Sequence, residues 1–138
     1  MNRISIIAGI GAALLLGGCS KNPEPIVRER ATTYTQLLQD DKFEEAINYV
    51  DPDLVTAKGR TTVTNQIKTG VGIVKGLVQL TGRKTAGFEI RKLDLSSDKT
   101  SASLQVIFFT TDANGGDRKE HPTDQRWVLK NKTWFVTL

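Results

Sequence analysis

The chain has 138 residues, a formal net charge of +4, one cysteine and one histidine. That length makes one domain with a real core. A lone His121 and a lone Cys19 argue against a His-based zinc site, a disulfide, a Ser-His-Asp triad or a Cys-His dyad within one chain.

Arg3 precedes an apolar run, Ile4–Leu16, that closes on Leu16-Gly17-Gly18-Cys19. Thirteen residues at about 1.5 Å each cover roughly 20 Å, too little for a hydrocarbon core of ~30 Å. A basic start, a short apolar stretch and small residues before a cut site make a secretory signal. Leu16, Gly17, Gly18 and Cys19 resemble the lipobox of bacterial lipoproteins. The resemblance implies cleavage before Cys19 and a thioether-linked diacylglycerol, usually with an amide-linked acyl chain such as palmitate, on that residue. Two or more chains hold a protein durably to a bilayer. Ser20 stands where aspartate would resemble an inner-membrane retention signal, which leans towards an outer membrane facing the periplasm. The expected layout is a signal peptide over 1–18, the lipidated cysteine and a short tether over 19–25, and one domain over 26–138. From Cys19 onward the charge is +3, a modest excess in an exported chain, which points away from nucleic acid.

Ile26, Val27, Ala31, Tyr34, Leu37 and Leu38 recur at helical steps after Pro25, predicting a helix over 26–39. Asp41 is the expected cap of a second helix, with Glu44 three residues on and Phe43, Ala46, Ile47 and Val50 on one stripe. Asp51-Pro52 repeats the start signal for a short turn that Lys58-Gly59 stops. Thr61 or Thr62 then opens the longest helix. It carries Val63, Ile67, Val71, Val74, Leu77 and Val78 on one stripe that reads as core-covering, and Gly82 ends it. Gly70, Gly72 and Gly76 each cost about 1 kcal/mol against alanine, so packing must hold it.

From Phe88 the period becomes two. Phe88 and Ile90 fall on one parity, Leu93 and Leu95 on the other, which predicts a bulge near Lys92. Ser96–Lys99 is a turn. The next strand, Ala102–Thr110, is apolar on both faces, with Leu104, Val106 and Phe108 on one and Ile107 and Phe109 on the other, as expected of an interior strand covered twice. Asp112–Asp117 is a loop, and Pro122 belongs at an edge or bulge. A hairpin around Asn131-Lys132 pairs Leu129 with Trp134, Trp127 with Val136 and Val128 with Phe135. A lysine resists positive φ there, so a longer turn with a shifted register is the alternative.

Helices followed by antiparallel strands predict an α+β fold, helices packed on one face of a strongly curved sheet. The stretches Leu37–Ala46 and Trp127–Val136 resemble the nuclear-transport-factor-two-like superfamily, and more narrowly its bacterial lipoproteins of uncharacterised function. The resemblance implies a cystatin-like cone whose sheet curls around the long helix and leaves a pocket. Tyr34, Trp127 and Trp134 are the candidate pocket-lining residues. No catalytic residue carries over, and no metal or cofactor is expected. Asp51 reads as a cap, Asp94 as solvent-facing, and Asp112-x-Asn114-x-Gly116 as a poor match to a calcium loop. The pairs Arg83-Lys84, Arg91-Lys92 and Arg118-Lys119 read as solvated surface. The functional expectation is a membrane-anchored, non-catalytic domain binding a small apolar ligand or an envelope protein. The alternatives are an acid/base enzyme of isomerase or dehydratase type in the cone, and an oligomeric subunit, a homodimer through the sheet.

Overall fold

The computed structural model describes residues 22–138; the signal and lipobox lie outside them. Helix α1, Glu24–Gln39, starts behind Pro23 with Pro25 in its first turn and buries Val27, Ala31, Tyr34 and Thr35. It does not hand over to the next helix through an Asp41 cap. Asp41 takes a left-handed φ of 58°, and backbone bonds Asp41 N to Leu38 O and Lys42 N to Leu37 O close α1 in a Schellman-like reversal. A residue in that conformation cannot present its carboxylate as an N-cap, which needs extended backbone. The carboxylate instead pairs with Lys75 at 2.6 Å.

Helix α2, Phe43–Ala46, therefore starts at Lys42 with no side-chain cap and tightens into a 3₁₀ turn, Ile47–Tyr49. Its expected stripe holds: Ala46, Ile47 and Val50 are buried and Phe43 packs beside them. Asp51 does cap α3, Pro52–Lys58, by accepting from Asp53 N at 3.0 Å. Gly59, at φ 87°, ends α3 and begins α4, Arg60–Leu80. Only the first half of the α4 stripe is covered. Val63 and Ile67 are buried, Val71 and Val78 are partly covered, but Val74 and Leu77 stand in solvent. Twenty-one residues at about 1.5 Å make a rod of roughly 30 Å, longer than the surface laid against it.

The four strands β1 (Lys84–Leu95), β2 (Ser101–Thr111), β3 (Lys119–Lys130) and β4 (Thr133–Thr137) pair antiparallel in chain order. The bulge falls where expected: Lys92 has φ 51° and the register shifts between Arg91 and Asp94. The extra residue brings Leu93 and Leu95 to the same side as Phe88 and Ile90, so all four pack on the core. β2 is interior and buries both faces at its centre, but no second layer covers its outer side. Arg118 lies 3.8 Å and Arg91 6.0 Å from the Phe109 ring centroid, and Arg91 also bridges Glu89 and Glu120. Arginine stems and planar guanidinium groups can shield an aromatic ring while staying wet.

β3 runs unbroken through Pro122, opposite Ile107. β4 pairs only with Arg126–Lys130, so Pro122 sits on a free edge, where its missing N–H costs nothing. The last hairpin has the short-turn register, Leu129 with Trp134 and Trp127 with Val136. Asn131 (φ 50°) and Lys132 (φ 64°) both accept left-handed backbone, as a two-residue turn of this kind requires.

Trp127 closes the core. Fully buried, it meets Tyr34 edge-on at 6.0 Å and donates its indole N–H to Gln125 Oε1 at 3.1 Å. Gln125 in turn donates to the buried Thr35 hydroxyl at 3.2 Å. Trp127→Ala is expected to cost about 3–5 kcal/mol in urea unfolding, the range for truncating a core aromatic. Lys132→Gly should raise stability by several tenths of a kcal/mol to about 1, because glycine carries no penalty at positive φ. A loss on that substitution would mean that the turn is not the two-residue one.

Candidate functional site

The helix-facing side of the sheet is where a cone pocket would open. Tyr34, Trp127 and Trp134 are all placed there, at 3 %, 0 % and 3 % exposure. They fill the space between helices and sheet, and neither of the two surface depressions described below is lined by them. The strand positions sharing that side carry Phe88, Ile90, Leu104, Val106, Gln125, Leu129 and Val136, and none carries a carboxylate. Burial pushes the Tyr34 phenol up to about 12. The candidate acids lie elsewhere. Asp51 caps α3 and pairs with Lys130 at 2.8 Å, and Asp53 pairs with the same ammonium. Asp94 is on the opposite side of the sheet, beside Ser103. Leu16, Gly17, Gly18 and Cys19 lie outside the described residues.

One polar cluster had no sequence signal. Arg83 Nε donates to Thr110 Oγ1 at 2.9 Å, Arg83 Nη1 pairs with Asp117 at 3.0 Å, and His121 Nε2 lies 2.8 Å from the same Thr110 oxygen. Separations of 27 and 11 residues become neighbours only through the pairing of β1 and β3 with β2. The geometry suits a clamp better than a nucleophile: Thr110 is buried, and among the described residues no carboxylate orients the imidazole's other nitrogen. All three basic pairs thus hold structure through their arginines, Arg83 here, Arg118 over Phe109 and Arg91 between Glu89 and Glu120. In the neighbouring loop the Asp112 carboxylate accepts from Asn114 N and Gly116 N at 2.9 and 2.8 Å, so it is committed to the turn. No three His, Cys, Asp or Glu side chains among the described residues are grouped to hold a metal.

The larger depression, about 810 Å³, is on the side of the sheet away from the helices. Its cause is in β2, where Ser101 and Ser103 place small side chains between longer neighbours. Register puts Asp94, Ser103, Arg126 and Thr137 in one row across all four strands. Gln105 and Asp124 follow in the next row, and Lys92 projects from the bulge. The side chains of Lys92, Asp94, Asp124 and Arg126 form no ion pair within the described residues. A few residues along the same face, Arg91 satisfies Glu89 and Glu120, and its hydrogen bonds hold both carboxyls below the usual range. The basin therefore offers both signs of charge, two serines and an amide to something polar. It holds no activated nucleophile. A second hollow, about 360 Å³, lies between α1 and the 3₁₀ turn, against Arg30, Glu45, Asn48 and Tyr49.

No protein-family model and no curated protein matches the sequence. Among solved structures, a Campylobacter jejuni protein described as an NTF2-like transpeptidase superposes with a TM-score of 0.59 at 21% identity, over 86% of this chain and 99% of that one. The intermembrane space region of the chloroplast protein ARC6 matches at a TM-score of 0.39 and 12% identity, over 80% and 92% of the two chains, too distant to carry an argument. The first likeness establishes an NTF2-like cone fold.

The buried phenol sets a pH dependence. Tyrosine in the unfolded chain ionises near 10, and Tyr34 in the folded state near 12. Its contribution is intact below pH 10 and is lost as pH rises from about 10 to 12. Tyr34→Phe should flatten that decline in denaturation midpoints measured against pH; equal slopes for both proteins would mean that the ring is not buried.

Proposed function

We propose that this chain is a lipid-anchored envelope protein whose domain binds a polar partner on the outer face of its sheet and performs no catalysis. The observation that carries this reading is the division between the two faces. Aromatic side chains pack the inside, while Lys92, Asp94, Asp124 and Arg126, without ion pairs among the described residues, gather outside. Buried carboxylates with shifted pKa are what an acid/base enzyme in the cone would need. The described inner face supplies a phenol made harder to ionise and, at its exposed end, His121 held against Thr110, with no carboxylate at the strand positions that share that side.

The neighbour's name raises acyl transfer, and Ser96-Ser97-Asp98-Lys99 does have the Ser-x-x-Lys spacing of penicillin-binding enzymes. Here the four residues form the turn between β1 and β2. Ser96 Oγ donates to Asp98 at 2.6 Å and accepts from Thr100 N and Ser101 N. Its oxygen is engaged in holding the turn, and the reading gives it no part in transfer.

Anchoring rests on Leu16-Gly17-Gly18-Cys19. A tether of four residues, 20–23, reaches at most about 14 Å before α1 begins, so the domain would stand close to the bilayer, on the periplasmic side of an outer membrane. Among the described residues no helix is long and apolar enough to cross a membrane. Cys19→Ala should move the protein from the membrane to the soluble fraction; retention would overturn the anchor. For the basin, a photo-crosslinking amino acid at Ser103 should capture an envelope component in intact cells, and Arg126→Glu should abolish the adduct. An adduct indifferent to Arg126→Glu, or none at all, counts against the outer face as the binding surface.

A further inference from the structure

The second half of α4 has an apolar face that nothing among the described residues covers. Ile73, Leu77 and Leu80 are 60 %, 59 % and 84 % exposed, and they recur at i, i+4 and i+7. At roughly 100° per residue Leu77 lies within about 40° of Val63, while Ile73 and Leu80 turn the face to about 80–100° from it. Val74, 58 % exposed, continues the Val63–Ile67 stripe itself beyond the core and joins this face on one side. Glycines at 70 and 76 border it, and a side chain added at either would meet no atom of this chain within 4 Å. Their small size therefore answers to no contact among the described residues, although each weakens the helix by about 1 kcal/mol.

We infer that this face pairs with the same face of a second copy, two α4 helices crossing about a two-fold axis. Charge argues for that occupant. Between residues 66 and 80 the only ionisable side chains are Lys68 and Lys75, both on the opposite flank of the helix, and Lys75 is engaged by Asp41 and the Gln39 carbonyl. A neutral apolar face matches its own copy without charge conflict, as an isologous contact requires. A helix that lies on a bilayer carries cations along its apolar border, and this one does not. Position argues the same way. Lys75 meets α1 at its C-terminal end, some 22 Å along the helix from Glu24, where the proposed tether joins.

The four exposed side chains present on the order of 400 Å², the size of the largest apolar patch on an ordinary monomer. With the polar residues beside them, two copies would remove on the order of 1,000 Å² from water, the low end for a specific interface. The pairing is accordingly weak in dilute solution and gains where copies share one membrane, a clause that rests on the proposed anchor.

The test places a photo-crosslinking amino acid at Ile73 in the full chain, in its own membranes, and reads the adduct by mass. The expected product is a homodimer, reduced at least tenfold by Leu77→Asp and unaffected by Lys68→Glu on the other flank. Leu77 is exposed, so the monomer's thermal unfolding should be unchanged by Leu77→Asp, which separates lost pairing from lost folding. Adducts with lipid alone, with a different protein, or none at all overturn the inference. So does a homodimer that persists in Leu77→Asp. None of these outcomes depends on what the outer-face basin binds, so that reading and this one fail separately.

Discussion

The burial of Trp127 against Tyr34 is the contact on which the remaining structure depends. It joins the middle of α1 to the third strand, and its indole N–H is satisfied through Gln125, which also satisfies the buried Thr35 hydroxyl. A large aromatic with one polar atom can sit at the centre of a core only if that atom has a partner. Once the ring occupies the cone, the space in which a ligand could have rested is gone. The proposed sites of action are then the fold's surfaces.

Those surfaces divide by chemistry. On the outer side of the sheet, one end is self-contained: Arg91 and Arg118 shield Phe109 and the acids beside them are paired. The other end has small serines in the central strand and four charges that form no ion pair among the described residues. On the helical side, α4 outruns the surface against it and leaves an apolar face bare. A chain with an NTF2-like fold thus presents a polar basin and an apolar helix on different sides, while its interior is spent on stability. Fold alone chooses no function here, since one architecture can host a pocket or fill it.

Much of this was legible in the sequence because the relevant signals are local. The parity change between Ile90 and Leu93 marks the bulge at Lys92, and the alternation around Asn131-Lys132 marks the last hairpin while leaving its register open. What escaped is non-local. Asp41 carries a good cap residue type, yet the chain reversal after α1 puts it in left-handed backbone. The α4 stripe is periodic to its end, but periodicity does not say how far the sheet extends to meet it. Ile107 and Phe109 predicted a second covering layer, but Phe109 is shielded by Arg91 of β1 and by Arg118 from the loop before β3. The basin depends on register, which sets residues from four strands in one row. Tyr34, Trp127 and Trp134 are the expected pocket-lining residues, and all three are buried; whether such rings line a space or fill it is a matter of packing.

The central claim, a filled cone, is tested most directly by acrylamide quenching of the native protein's tryptophan fluorescence. Both tryptophans are buried, so the account predicts blue-shifted emission and quenching several-fold weaker than in denaturant. Quenching of the folded protein close to that of the unfolded chain would mean an open cone, and would return the search for a site to its interior.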